Sequence, residues 1–215
     1  MKENESLFNE YGLRYDITQI SPGLVGREFI KTIGHYHKDF GSEIYEVLSG
    51  EAIFIFQKID FSGMVMPIGG QAEEIYLIKA NVGEKVVVPW PGRLPGYGHV
   101  TINPGNDFLV VADISSENMR PNYDFFKKYR GAAYYIVKGQ GLKINDNIAA
   151  VKNTNYSEIS NLEMGTPKEV MELGISFSKP LYASFIEAPE KFDFIIHPEK
   201  YKEILAPEKL FKLSK

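Results

Sequence analysis

Two histidines one residue apart, His35 and His37, precede a turn and then Glu43 in the stretch GHYHKDFGSEIYEVLSG (34–50). In an extended strand, residues two apart share a face, so both imidazoles would project together while Tyr36 faces the other way. The KDFGS segment would turn the chain, and Glu43 would open the returning strand and approach the same spot. Imidazole and carboxylate groups bind Zn²⁺, Fe²⁺ or Mn²⁺, and two histidines with one carboxylate on one side of an ion leave positions open for substrate. A second stretch, GEKVVVPWPGRLPGYGHVTIN (83–103), carries a buried strand, a proline turn, a glycine-rich loop and then His99. Alternation alone leaves a solvated strand edge as the other reading of His35 and His37.

Composition restricts the ion to nitrogen and oxygen ligands. The 215 residues include no cysteine, so neither a disulfide framework nor a thiolate site can form. A net charge of −4 argues against a broad nucleic-acid surface. The opening MKENESLFNEYG lacks the apolar core of a secretion signal. The longest apolar runs, such as 52–56 and 108–112, are too short to cross a bilayer. The expectation is a soluble, cytoplasmic protein without membrane or nucleic-acid partners.

The elements that must position these ligands are short and β-rich. IYEVL (44–48), AIFIFQK (52–58), EIYLIK (74–79), KVVVP (85–89), HVTI (99–102) and FLVVADI (108–114) suit a half-buried pleated surface. SGE, FSG, NVGE and NPGND turn the chain between them, which predicts an all-β sandwich or barrel. After Arg120 the texture changes. PNYDFFKKYRG predicts a short helix ending at Gly131, followed by a hairpin from AYYIV (133–137) to LKIN (142–145). TPKEVMEL (166–173) predicts a helix with Thr166 at the N-cap, Pro167 and Glu169 in the first turn, and Gly174 just past the end. LYASFIEA and KFDFII read as strands, and a lysine-rich helical tail starts at Pro198. Residues 1–150 are expected to form the barrel with its trimmings, and 151–215 a mixed α/β extension packed on it.

Together the two stretches resemble the paired cupin signatures, through Gly34, His35, His37, Glu43 and Gly50, then Gly83, Pro89, Gly92, His99 and Asn103. The resemblance implies a mainly β fold, a double-stranded β-helix (jelly-roll) barrel. It implies too that His35, His37, Glu43 and His99 hold one divalent metal, Fe²⁺ foremost, with Zn²⁺, Mn²⁺ or Ni²⁺ as alternatives. Immediately upstream, TQISPGLVGREFIKTIGHYH (18–37) is similar to the lead-in of the archaeal cupin-type phosphoglucose isomerases. This similarity spans roughly 10–125 and is strongest over 22–50. It implies a metal-dependent isomerase of glucose 6-phosphate and fructose 6-phosphate, serving glycolysis and gluconeogenesis. Carried over by position, Thr18, Thr32 and Gly34 would cradle the phosphate, and Tyr45 and Tyr123 would line the substrate. Glu43 and Tyr45 would act in catalysis, Glu43 on the metal as well. Barrels of this kind commonly pair through their sheets, which implies a homodimer. The chain departs from the family pattern in a shorter turn between His37 and Glu43, and in Pro121 where the family carries a histidine.

The bare chemistry agrees. A phosphate needs hydroxyls, backbone N–H groups and a cation; Arg93 and Arg120 are the candidates for the last. Aldose–ketose isomerisation moves hydrogen between C1 and C2, either as a proton carried by Glu43 or as a hydride that needs no base. Trp90 and Tyr97 either wall a sugar ring or cap the barrel. His197, Glu73 and Glu74 read as surface residues. The rival functions are another metal enzyme of the same fold, such as an Fe²⁺ dioxygenase or a different sugar-phosphate isomerase, and a non-catalytic sugar-binding protein.

Overall fold

The computed structural model describes residues 4–39, 41–59 and 70–214. Its first strands are β1 (Leu13–Ile20), β2 (Leu24–Val25), β3 (Glu28–Phe29) and β4 (Tyr36–His37). The six runs read from the sequence are β5 (Glu43–Ser49), β6 (Glu51–Ile59), β7 (Gln71–Asn81), β8 (Lys85–Val87), β9 (Gly98–Ile102) and β10 (Leu109–Ser116). Beyond them come β11 (Pro121–Asn122), β12 (Tyr134–Lys138), β13 (Leu142–Lys143), β14 (Ile148–Lys152), β15 (Glu158–Ile159), β16 (Leu162–Pro167) and β17 (Phe211–Leu213). The helices are α1 (Glu5–Glu10), α2 (Asp124–Lys128), α3 (Leu181–Glu187), α4 (Asp193–Ile196) and α5 (Pro207–Leu210). The turn expected at FSG (61–63) lies outside the described residues.

An antiparallel sheet ordered β1-β10-β5-β8 faces a larger sheet ordered β17-β16-β7-β6-β9, and a third, β13-β14-β12-β3-β2, covers the larger sheet's other side. This explains why β6 is apolar at nearly every position instead of alternating. Ala52, Phe54 and Phe56 enter the core shared with the first sheet, while Ile53, Ile55 and Ile59 enter the core shared with the third. A strand buried on both faces has no polar side to show. The mainly β jelly roll expected from the sequence is present, and among the described residues no sheet closes on itself.

The chain beyond residue 130 departs from expectation in several places. LKIN does not pair with AYYIV; β13 and β12 both pair with β14 instead. Thr166 and Pro167 do not start a helix but end β16, which runs parallel to β7 and antiparallel to β17. Pro167 is the last residue of its strand, opposite Phe211 of β17. Only Met171–Leu173 coil, as a 3-10 turn that Gly174 closes in the left-handed region. The run LYASFIEA is the helix α3, with Leu181 and Phe185 four apart on its buried face and Phe8 stacked on Phe185. KFDFII likewise coils, through a 3-10 turn into α4. The lysine-rich tail holds a 3-10 turn and α5 but finishes as β17. Phe185, Phe192, Phe194, Leu205 and Phe211 share one core with the strands of the jelly roll.

A buried ion pair ties the two parts together. Lys85 Nζ lies 3.0 Å from Glu46 Oε1, with side-chain exposures of 2% and 5%. Lys85 also donates to the carbonyls of Gly83 and Lys179, and Glu46 Oε2 accepts the Leu181 N–H at the start of α3. Removing one member of such a pair strands a buried charge, at a cost of about 3–5 kcal/mol. Lys85→Met is therefore expected to lower the urea midpoint by that equivalent; a loss below about 1 kcal/mol would mean that Glu46 reaches water or another partner.

Candidate functional site

The site is built around a glycine. Gly34 has φ of +83°, and a Cβ there would sit 2.4 Å from Val100 Cγ2 and 2.9 Å from the Phe126 ring. No other residue fits both the conformation and the space. That close approach lets His35 exchange both backbone hydrogen bonds with His99, at 3.1 and 3.0 Å, so the two rings stand 4.3 Å apart. His37 follows on β4, which pairs with β11. Tyr36 turns to the opposite side, where it packs on Phe125 and Phe126 and Gln57 Nε2 donates to its hydroxyl at 3.0 Å. Glu43 opens β5, and His99 lies in β9 opposite Phe56 of β6. Asn103, the other motif residue, is structural: its amide donates to the carbonyls of Ile20 and Asp107 and its oxygen accepts from Gly105 N–H.

Four side chains converge. Glu43 Oε2 lies 3.2 Å from His37 Nε2, 3.2 Å from His99 Nε2 and 3.9 Å from His35 Nε2. The four ligand atoms lie within 4.8 Å of one another, and His37, Glu43 and His99 are buried. Burial, reinforced by repulsion from His99, pushes the pKa of His35 down to about 3, and burial lowers that of His37. Burial alone would raise the Glu43 carboxyl, but its contacts with His37 and His99 hold it well below the usual carboxylate range. Neutral imidazoles beside an ionised carboxylate are the protonation states that a divalent ion requires. His99 Nε2 is buried and, although 3.2 Å from Glu43 Oε2, meets it without hydrogen-bond geometry. A buried orphan of this kind is costly unless something coordinates it, so the residues fit a metal.

The cluster forms the floor of a cleft of about 500 Å³, whose walls include Thr18, Thr32, Gly34, Tyr45 and Tyr123. Thr32 Oγ1 already accepts the Thr101 N–H at 3.1 Å, leaving its proton for a further partner. Tyr123 stands 5.6 Å from the His35 ring and is partly exposed. Tyr45 is both a core aromatic and a wall residue, packing on Phe54 and His99. Burial and then the Glu43 charge raise its phenol well above the usual range, so it stays a proton donor.

The remaining candidates lie off the cleft. Neither Arg93 nor Arg120 lines the cleft: Arg93 lies 3.9 Å from Glu73, and Arg120 forms a two-pronged pair with Asp39. Trp90 and Tyr97 are buried in the core rather than set on the cleft, and Tyr97 donates its hydroxyl to Glu74. Glu74 is therefore no idle surface group, and it also pairs with Lys58. His197 lies near Asp193 and Glu199, half exposed.

Three charged wall residues escaped the sequence reading: Arg14, Asp16 and Asp113. Arg14 and Asp16 precede Thr18 at two-residue steps on β1 and so share its face. That periodicity was available. Asp113 interrupts the apolar run of β10, opposite Tyr45 on one side and Asp16 on the other. Burial, followed by the Glu43 charge, raises its carboxyl to about 8.

A model of the family described as glucose-6-phosphate isomerase (GPI) matches residues 1–152. The glucose-6-phosphate isomerase of Thermococcus gammatolerans is 32% identical over 139 residues, covering 64% of this chain and 65% of that protein. The corresponding protein of Thermococcus kodakarensis is 28% identical, with the same coverages. The chain thus matches about 65% of the length of these relatives. Among solved structures, an oxalate oxidase in complex with the substrate analogue glycolate is similar at 21% identity and a TM-score of 0.40, covering 54% of this chain and 48% of that one.

Proposed function

The chain belongs to the glucose-6-phosphate isomerase family, and from that premise we propose that it is a divalent-metal-dependent isomerase interconverting glucose 6-phosphate and fructose 6-phosphate. The observation that carries the reading is the opening of the His35–His37–Glu43–His99 cluster onto a cleft walled by hydroxyls and a glycine backbone. In this reading Thr18, Thr32 and Gly34 take the phosphate, and Tyr45 and Tyr123 border the sugar. Residues 1–150 form the catalytic unit and 151–215 brace it. No helix among the described residues is long and apolar enough to cross a membrane. The reading includes a cytoplasmic enzyme and a homodimer, for which the edge position of β1 in its sheet offers a surface.

His35, His37, Glu43 and His99 would hold the ion, Fe²⁺ in our reading. Once bound, the ion supplies a Lewis acid that polarises the substrate carbonyl. The chain's own groups move the proton. Glu43 takes it from C2 of the open-chain aldose, and the C2–H electron pair becomes the C1–C2 double bond of an enediol as the C1 oxygen gains a proton. Delivery to C1, with loss of the O2 proton, restores a carbonyl at C2 and yields the ketose. Tyr45 stays protonated beside Glu43 and can donate a hydrogen bond to a sugar oxygen.

A coupled assay on a panel of sugar phosphates and free sugars tests the reading. Turnover of fructose 6-phosphate is expected with metal-replete protein, without oxygen uptake. Losing a hydroxyl bond to a charged phosphate costs about 1.5–3 kcal/mol. Thr18→Ala should therefore raise KM for fructose 6-phosphate at least about tenfold, with a smaller change in kcat. Equal activity on free fructose and fructose 6-phosphate would remove the phosphate site.

A further inference from the structure

The cleft has an acidic wall next to the place assigned to a dianion. Asp16 shares the face of β1 with Thr18, about 6.6 Å further along the strand, and Asp113 stands opposite Asp16 on β10. Arg14 is the lone Lys or Arg among the described residues lining the cleft. Its Nε donates to Ser115 Oγ at 3.0 Å and lies 2.9 Å from Asp16 Oδ2. Among the described residues, neither terminal guanidinium nitrogen donates a hydrogen bond. Cross-strand register places Arg14 opposite Ser115, and Ser115 opposite Glu43, so Arg14 stands on the cleft wall level with Glu43, with Asp16 between it and Thr18 along β1.

We propose that Arg14 determines the preference for phosphorylated over neutral ligands: its charge offsets Asp16 and gives the Thr18 wall the cation that a phosphate needs. Guanidinium is suited to this, being always charged and keeping both terminal NH₂ groups, four N–H donors, free when Nε is engaged. Without it, a phosphate approaching Thr18 meets the Asp16 carboxylate unbalanced. The sugar part of this inference rests on the isomerase reading. The anion part does not, because inorganic phosphate probes the wall without any turnover.

The experiment is calorimetric titration of inorganic phosphate into the metal-loaded protein, wild type against Arg14→Gln, Arg14→Lys and Asp16→Asn, with melting curves and metal content confirming folded, loaded samples. Arg14→Gln is expected to weaken phosphate binding ten- to a hundredfold, Arg14→Lys to retain most of it, and Asp16→Asn to bind phosphate no more weakly than wild type. The wild-type to Arg14→Gln gap should narrow in 1 M salt, where charges on a half-exposed wall are screened. In the coupled assay Arg14→Gln should raise KM for fructose 6-phosphate while leaving the affinity for free fructose as it was. Failure of wild-type turnover alone would defeat the isomerase reading and leave the titration to decide on Arg14. Phosphate affinity that changes less than about threefold in Arg14→Gln, as direct phosphate binding to the metal would give, overturns the proposal. An equal loss for phosphate and for free fructose, or an Asp16→Asn loss matching that of Arg14→Gln, overturns it too.

Discussion

Elemental analysis of the purified, metal-supplemented chain is expected to find about one divalent ion per molecule, lost in the His35→Ala, His37→Ala double variant. The three imidazoles and the carboxylate already converge to within 4.8 Å of one another. The fold supplies the organisation by pairing His35 with His99 through their backbones and by placing Glu43 at the head of β5. Binding to such a pre-arranged set releases few protons, since burial keeps His35 and His37 toward the neutral form. The double variant leaves Glu43 and His99, one carboxylate and one imidazole, with water filling the rest. Two ligands hold an ion far more weakly than four, so dialysis should empty the site. Turnover should fall by at least about a thousandfold, the scale of losing an electrophile that contributes several kcal/mol to the transition state. A folded wild-type chain that stays metal-free under reducing conditions with Fe²⁺, Zn²⁺ and Mn²⁺ each in excess would end the metal reading. The double variant must be shown to melt cooperatively for its loss to count.

How far the sequence carried the site depended on whether neighbouring residues or distant ones decide a position. The cluster was legible because three of its members, His35, His37 and Glu43, come from one strand–turn–strand unit, in which the two-residue period fixes which way each side chain points. The fourth, His99, could be added only through motif resemblance; its position against His35 is a product of strand pairing between β9 and the segment before β4. Thr18 was found by motif, whereas Arg14 and Asp16 on the same face were missed although the same period points to them. Asp113 gave a weaker signal, a single charge in an apolar run, which is as often a turn as a buried group. Beyond residue 150 local rules misled. The run from Thr166 has a sound N-cap signature, yet hydrogen bonding to β7 and β17 outweighs it. LYASFIEA has the aromatic and β-branched content of a strand, yet the Leu181–Phe185 spacing lets a helix bury both against Phe8 and the jelly roll. In both cases the deciding partners lie more than 40 residues away in the chain, out of reach of any window.

Glu43→Gln is expected to keep its metal and lose its chemistry. Glutamine has the size of glutamate and offers one ligand oxygen, and three imidazoles remain within reach of the ion. A metal-replete buffer should therefore keep the site filled, and metal content must be measured on the sample that is assayed. A positioned acid–base group supplies about 10²–10⁴-fold in rate. If Glu43 carries the proton between C2 and C1, kcat should fall by at least about a hundredfold. The carboxylate is suited to this task in the folded chain, where its contacts with His37 and His99 outweigh burial and keep it ionised. Its neighbour Tyr45 stays a donor, so the pair presents one acceptor and one donor to the cleft. Isotope exchange reads the same step independently. Turnover in deuterated water should place label at C1 or C2 of the product, because a carboxylic acid formed at Glu43 exchanges its proton with solvent before delivery. A fully loaded Glu43→Gln that retains more than about a tenth of wild-type kcat removes Glu43 from the proton transfer. Wild-type product free of label points instead to hydride passing directly between the carbons, with Glu43 acting as a ligand alone.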